Sequence, residues 1–265
     1  MAAVIFKAEN ATFAYKQGNN VFRDISFEIR SGDIVSVLGA NGAGKTTLLK
    51  YMMGFYRSGE GRVFIDGESI YSMSEKKLWQ KIAYVPQSRG NSSSLDVRNM
   101  ILLGTANRVG VFSSPDDGEK KFCHGIAERL GITHLLDKKY NEISGGEMKM
   151  VLIARALAGK PEILILDEPE SSLDFKNQLI VLDTVTSLAK EEGIACVFST
   201  HYPDHALARS DKSLLLIGEE AIFGLTEDIV TEENIRRAFG VEAVIDRICD
   251  GEEKYSVVVP TRISR

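Results

Sequence analysis

The chain has 265 residues, 44% of them hydrophobic and 26% charged, with a formal charge of −5. At about 150 residues per domain the length allows one to two domains with a sizeable core, and the composition excludes disordered, collagenous and disulfide-scaffold classes. A mildly acidic chain is not built for sequence-independent nucleic-acid binding, which rests on many Lys and Arg side chains neutralising phosphates, so no nucleic-acid partner is expected and any grip on a polyanion must be local.

The opening MAAVIFKAEN has no charged segment leading into a long apolar stretch, and no run reaches the roughly 18 apolar residues of a spanning helix. Work at a membrane would need other chains to supply the span. Ile25, Phe27 and Ile29 alternate with Ser26, Glu28 and Arg30, the period of a half-buried strand. Asp33 to Leu38 reads DIVSVL, which suits a strand covered on both faces. It runs into GANGAGKTTLLKYMMG, a glycine loop followed by good helix formers that end near Gly54. Further strands are predicted at Arg62–Ile65, Ala83–Val85, Glu162–Leu166 and Ala195–Ser199, with helices at Gly145–Ala158 and Phe175–Glu191. This alternation predicts an α/β fold with a mainly parallel sheet covered on both sides. Between Ser88 and Asn141 a polar loop is followed by helical segments without a strand, which reads as an inserted helical subdomain. Cys123, Cys196 and Cys249 form no metal-ligand or disulfide spacing and fit a reducing compartment.

The strongest chemical signal is Gly39-Ala40-Asn41-Gly42-Ala43-Gly44-Lys45-Thr46, a full G-x-x-x-x-G-K-[ST] match between a strand and a helix. Glycines let successive backbone N–H groups turn toward phosphate oxygens, and the helix start adds about half a positive charge. Lys45 then reaches the β- and γ-phosphates, and Thr46 offers its hydroxyl to Mg²⁺. A second signal is Ile163 to Pro169, ILILDEP, where two carboxylates follow a buried strand at the end where ligands bind in open α/β sheets. Asp167 is expected to hold Mg²⁺ through its water shell, and Glu168 to orient and activate an attacking water.

Between these lies Ile143-Ser144-Gly145-Gly146-Glu147. With the two phosphate motifs, it resembles the signature loop of the nucleotide-binding subunits of ATP-binding cassette (ABC) transporters: a serine hydroxyl and glycine N–H groups at a helix start, forming a second phosphate cradle. The resemblance implies a P-loop NTPase core with N-terminal antiparallel strands, and an ATPase that uses ATP and Mg²⁺. It implies that Asn41 and Thr47 join the nucleotide contacts, that Tyr15 stacks on adenine, and that Gln87 in YVPQS reaches the metal and the attacking water. Ser171-Ser172-Leu173-Asp174 is similar to the loop that crosses the family's dimer interface, and His201 to the switch histidine that contacts the γ-phosphate. Ser144, Gly145 and Gly146 would serve the ATP held by a partner subunit. His124, His134 and His205 receive only a structural reading.

The pattern departs from the family in two places. Lys149-Met150 stands where a Gln-Arg pair is common, and Glu170 stands where a small polar residue is frequent. The stretch from Leu95-Asp96-Val97 to Gly104, with Phe112 and Pro115, is similar to subunits that drive import of iron-siderophore, haem and cobalamin complexes, although Thr105 replaces the usual Arg. The tail from Gly224 to Val241 is also similar to that branch, with Thr231 placed to cap a helix whose Ile235, Ala238 and Phe239 are apolar on one side. The expectation is a core of residues 1–89 and 142–223, a helical subdomain of 90–141 and a C-terminal appendage of 224–265. It would form a head-to-tail homodimer on separate permease subunits, coupled indirectly to a substrate-binding protein, at the cytoplasmic face of the cell membrane. Another importer or exporter using the same motor, and a soluble cassette ATPase outside transport, remain the alternatives.

Overall fold

The computed structural model describes residues 3–16, 19–56, 60–87, 93–109, 115–251 and 253–264. Ser88, Phe112 and the expected 89/90 boundary lie outside them. Two long strands, β1 (Val4–Lys16) and β2 (Asn19–Arg30), pair antiparallel. They are followed by β3 (Ile34–Leu38), the glycine loop, α1 (Lys45–Met52), β4 (Glu60–Ile65) and β5 (Glu68–Ser69). Then come α2 (Glu75–Lys81) and β6 (Ile82–Val85), and a helical stretch made of α3 (Val97–Leu102), α4 (Ala106–Val109) and α5 (Asp117–Arg129). The chain returns through α6 (Gly145–Ala158), β7 (Ile163–Leu166), α7 (Phe175–Glu192), β8 (Ala195–Thr200), α8 (Pro203–Arg209), β9 (Lys212–Ile217) and β10 (Glu220–Leu225). It ends with α9 (Thr226–Ile229), α10 (Glu232–Phe239), β11 (Val241–Asp250) and β12 (Glu253–Ile263).

The central sheet has the order β10-β9-β3-β8-β7-β6, parallel except for the antiparallel edge strand β10. Its strands are apolar on both sides because both sides are covered. Ile163 and Ile165 of β7, with Ala195 and Val197 of β8, face a core shared with the antiparallel sheet β2-β1-β4-β5 and α1. Leu164, Leu166, Cys196 and Phe198, one residue out of phase, face a second core with α6, α7 and the helical lobe. The helix α6 is buried almost all round, Met150 to Ala154 meeting the sheet side and the lobe's Val97, Met100, Ile101 and Ile126 in one continuous core. Gly104 marks the tightest approach: a Cβ there would lie 1.8 Å from the Arg155 carbonyl oxygen. Beside it Thr105, in place of the usual Arg, is buried and donates its hydroxyl to the Leu102 carbonyl.

The expected strands and the helices α1, α6 and α7 form within a few residues of their predicted ends. β10 runs through Leu225, past the expected start of the appendage at 224. Thr231 caps α10 as predicted, its hydroxyl accepting the Asn234 N–H at 3.2 Å. The hairpin of β11 and β12, absent from the sequence reading, packs Ala243, Ile245 and Val258 against α8 and α10. Asp204 of α8 accepts the Val258 N–H and ties the hairpin down.

Candidate active site

The site sits at the C-terminal ends of β3, β7 and β8, where the parallel strands deliver the glycine loop, Asp167-Glu168 and His201 to one edge. Gly44 takes φ +96, and a Cβ there would come within 2.5 Å of Val21 Cγ1, so only glycine fits both the backbone and the space. It precedes α1 without any side-chain cap, which leaves the first helical N–H groups for a ligand. Lys45 is buried beneath the loop, donating to the Gly39 carbonyl at 2.9 Å and the Ala40 carbonyl at 3.1 Å, with Glu168 Oε1 at 3.5 Å. Asn41 and Gly42 stand exposed at the loop tip.

Thr46 Oγ1 donates to Asp167 Oδ1 at 3.1 Å, joining the two phosphate motifs across 121 residues of sequence. Asp167 is only 3% exposed. Ser199 Oγ donates to Asp167 Oδ1 at 2.7 Å, and Tyr84 OH donates to its Oδ2 at 3.3 Å. Burial, with the Asp167 carboxylate next to it, raises the Tyr84 pKa well above the ordinary phenol value and keeps it a donor. Glu168 adopts φ +44, an unusual conformation for a residue with a side chain, while its N–H donates to Ser199 Oγ at 2.8 Å. Its carboxylate takes partners other than those of Asp167. Gln87 Nε2 donates to Glu168 Oε2 at 2.9 Å, and His201 Nδ1 lies 3.6 Å from Oε1. Lys45, Gln87 and His201 thus converge on one carboxylate. The oxygen donors of Thr46, Asp167 and Gln87 are the hard ligands that suit Mg²⁺.

Tyr15, on β1 and 61% exposed, directs its hydroxyl to Thr47 Oγ1 at 2.9 Å and to Tyr56 OH at 3.1 Å. Tyr15 also lines a cleft with Asn20, Val21, Gly42 and Ala43 beside the glycine loop. Ser144 lies elsewhere, at the start of α6. Its hydroxyl accepts the Glu147 N–H at 3.3 Å and Glu147 accepts the Ser144 N–H at 2.8 Å, a reciprocal cap that leaves Gly145 and Gly146 at the helix tip. Asp174 caps α7 by accepting the Asn177 N–H at 2.8 Å. The structure therefore brings together Lys45, Thr46, Gln87, Asp167, Glu168 and His201, and holds Ser144, Gly145, Gly146 and Asp174 outside that cluster. Ser199, Tyr84 and Tyr56 escaped the sequence reading. The signal for Ser199 was the pair of hydroxyl residues, Ser199 and Thr200, that ends the otherwise apolar strand ACVFST.

A phosphate loop joined by a hydroxyl to a strand-end carboxylate, on a parallel sheet, defines a P-loop NTPase. Residues 22–171, more than half of the chain, match the ABC transporter family. The chain is 34% identical to the molybdate import ATP-binding protein MolC of Haemophilus influenzae, over 87% of this chain and 86% of that one. It is 33% identical to the hemin import ATP-binding protein HmuV of Bordetella pertussis, over 89% and 92%. A solved structure described as an inward-facing conformation of a putative metal-chelate type ABC transporter aligns with a TM-score of 0.88 at 32% identity, covering 98% of each chain. The chain belongs to the ABC transporter family as an ATP-binding subunit, and it is an ATPase. Among the described residues no helix is long and apolar enough to cross a membrane.

Proposed function

We propose that this subunit drives import of a metal chelate, of the iron-siderophore, haem or cobalamin type, through a separate permease. The observation that carries the motor part of the reading is the Thr46–Asp167 hydrogen bond with Glu168 turned toward Lys45, Gln87 and His201. Whole-length similarity to the metal-chelate type structure, terminal hairpin included, supports the branch. Similarity to a molybdate subunit favours oxyanion import as the second reading.

In the proposed mechanism the loop N–H groups and Lys45 hold the β- and γ-phosphates, with Asn41 and Thr47 flanking them and Tyr15 against adenine. Lys45 exchanges its contacts with the Gly39 and Ala40 carbonyls for phosphate oxygens. Thr46, Asp167 and Gln87 would hold Mg²⁺, which neutralises charge on the phosphate oxygens. Glu168 takes the proton of the attacking water, and Gln87 and His201 orient that water and the γ-phosphate. Ser144, Gly145, Gly146 and Asp174 lie outside this cluster, and we assign them to the nucleotide of a second copy in a head-to-tail homodimer. The core of residues 1–89 and 142–223, the lobe of 90–141 and the appendage of 224–265 would then sit peripherally on the permease at the cytoplasmic face, fed by a substrate-binding protein.

Mixing Ser144→Arg with Lys45→Ala subunits tests the arrangement. A head-to-tail mixed dimer gathers both lesions in one site and leaves the other intact, so activity above that of either variant alone is expected. No recovery defeats the shared site. Assembly with the permease and a binding protein tests the cargo: ATPase stimulation by a chelate-loaded binding protein is expected, and stimulation by molybdate alone would move the protein to the second reading.

A further inference from the structure

Tyr15 is the exposed ring of an aromatic cluster rooted in the core. Phe13, two residues earlier on β1 and therefore on the same face, is buried, with the rings of Phe22 and Tyr51 6.0 and 6.2 Å from its own. Tyr56 lies stacked on Phe13, 4.5 Å between centroids at 28°. Tyr15 stands nearly perpendicular to both, 5.0 Å from Phe13 at 83° and 5.7 Å from Tyr56 at 87°, within the range of favourable edge-to-face contacts. Its hydroxyl is the meeting point of two others, Thr47 Oγ1 at 2.9 Å and Tyr56 OH at 3.1 Å.

Both anchors belong to the segment that forms the phosphate site. Thr47 is in the first turn of α1, two residues after Lys45. Beyond α1, Gly54 takes φ +75 and the Phe55 N–H donates to the Lys50 carbonyl at 3.1 Å, a reversal of the chain that returns Tyr56 to the tip of Tyr15. The stack on Phe13 needs only the ring of Tyr56, whereas its hydroxyl goes to Tyr15. A tyrosine has two side-chain torsions. The perpendicular neighbours restrict the plane of the Tyr15 ring, and the hydroxyl contacts fix its far end. A ring already held in one orientation loses little rotamer freedom when a base is laid on it, which is how preorganisation raises affinity. Tyr15 meanwhile lines the cleft beside the glycine loop, where such a base would lie.

We infer that Tyr56 is a positioning residue for nucleotide binding, holding Tyr15 in the plane on which the base stacks and tying that plane to α1. Tyr56 does not touch the nucleotide. It acts through the Tyr15 hydroxyl, with Thr47 as the second tether. This role rests on the placement of Tyr15 against adenine proposed above. Its consequence is selective: losing the tether weakens ligands that carry a base, and leaves the contacts of a bare triphosphate with the loop and Lys45 as they were.

Displacement of a fluorescent ATP analogue from the full-length subunit, by ATP and by inorganic tripolyphosphate, reads this selectivity. Tyr56→Phe keeps the ring on Phe13 and should melt close to wild type. Its ATP affinity should fall about three- to tenfold, the range of one hydrogen bond, with tripolyphosphate affinity unchanged. In a Tyr15→Phe background the same substitution should have no further effect, because the hydroxyl through which Tyr56 acts is gone. Wild-type ATP affinity in Tyr56→Phe, equal weakening of ATP and tripolyphosphate, or losses that multiply in the double variant would overturn the assignment. Tyr15→Leu separates it from the stacking reading. Removing the ring should weaken ATP more than Tyr56→Phe does, again without touching tripolyphosphate. If Tyr15→Leu binds ATP as wild type does, the stacking reading is wrong and the positioning role falls with it. If Tyr15→Leu is weakened and Tyr56→Phe is not, stacking stands and Tyr56 alone loses its role.

Discussion

Two helix starts in this molecule carry glycine and a hydroxyl residue, and they are built in opposite ways. α1 begins after a left-handed glycine with no side-chain cap, over a buried lysine and within reach of two carboxylates. α6 begins with a serine and a glutamate that cap each other, and Asp167 and Glu168 are not among their hydrogen-bond partners. An uncapped start has unsatisfied donors and needs a ligand, whereas a capped one is stable without it. The first is therefore a site with its own chemistry close at hand, and the second is a preformed surface that can serve something brought to it.

Substitutions at the two starts should separate these roles. Glu168→Gln removes the proton acceptor while keeping the shape and the Gln87 contact. Turnover should fall by about 10² to 10⁴, or roughly 3 to 5 kcal/mol of barrier, with ATP still bound. Phosphate release by the assembled transporter measures this, and near wild-type hydrolysis would remove Glu168 from the chemistry. Lys45→Ala deletes a charge-assisted contact worth about 1.5 to 3 kcal/mol, so a fluorescent ATP analogue should bind about 10- to 150-fold more weakly. Unchanged binding would erase the contrast between the two starts.

Glycine replacements sharpen it further. Gly44→Ala meets both a left-handed backbone and Val21, and should cost at least about 1 to 2 kcal/mol of stability along with nucleotide affinity. Gly145→Ala meets nothing nearer than Leu173 at 4.0 Å and should melt close to wild type. Equal losses at the two positions would show that α1 is not the strained start.

The smallest effect belongs to the cap of α6. Ser144→Ala should cost about 1 kcal/mol in urea titration and leave ATP binding by the isolated subunit intact. Hydrogen bonds from the Ser144 N–H and hydroxyl hold the Glu147 carboxyl below its ordinary value of 4.5. A lowered folded pKa means that the stabilisation is present above the unfolded pKa and lost as pH falls through the folded value. The stability difference between wild type and Glu147→Gln should therefore shrink on acidification below about pH 4.5, modestly because the side chain is 33% exposed and screened by solvent. A difference that grows on acidification would contradict the cap.

Most of the central sheet was legible because strands buried on both faces read as short β-branched runs between glycine loops and helices, as DIVSVL and ILIL do. The phosphate loop was legible because its chemistry needs contiguous residues. Ser199 and Tyr84 were not, since each reaches Asp167 only after strands far apart in sequence pair in register. The terminal hairpin was obscured by apolar residues on both of its faces, Val244 and Ile248 outward and Ala243 and Ile245 inward, which hides a period of two. Asp250-Gly251 was the available turn signal, and Gly251 does take φ +63 there. Lys149 and Glu170 were visible as departures, but their complete burial was not.

The continuous core around α6 has a thermodynamic consequence. Because this helix fills one core shared by the helical lobe and one face of the central sheet, the lobe has no hydrophobic interior that is its own. Heat should find no intermediate in which the lobe has melted and the sheet has not, and calorimetry of the isolated subunit should give one cooperative peak whose van't Hoff and calorimetric enthalpies agree. Deepening a cavity on either side of α6, by Met100→Ala or Phe198→Ala, should lower that single peak rather than split it.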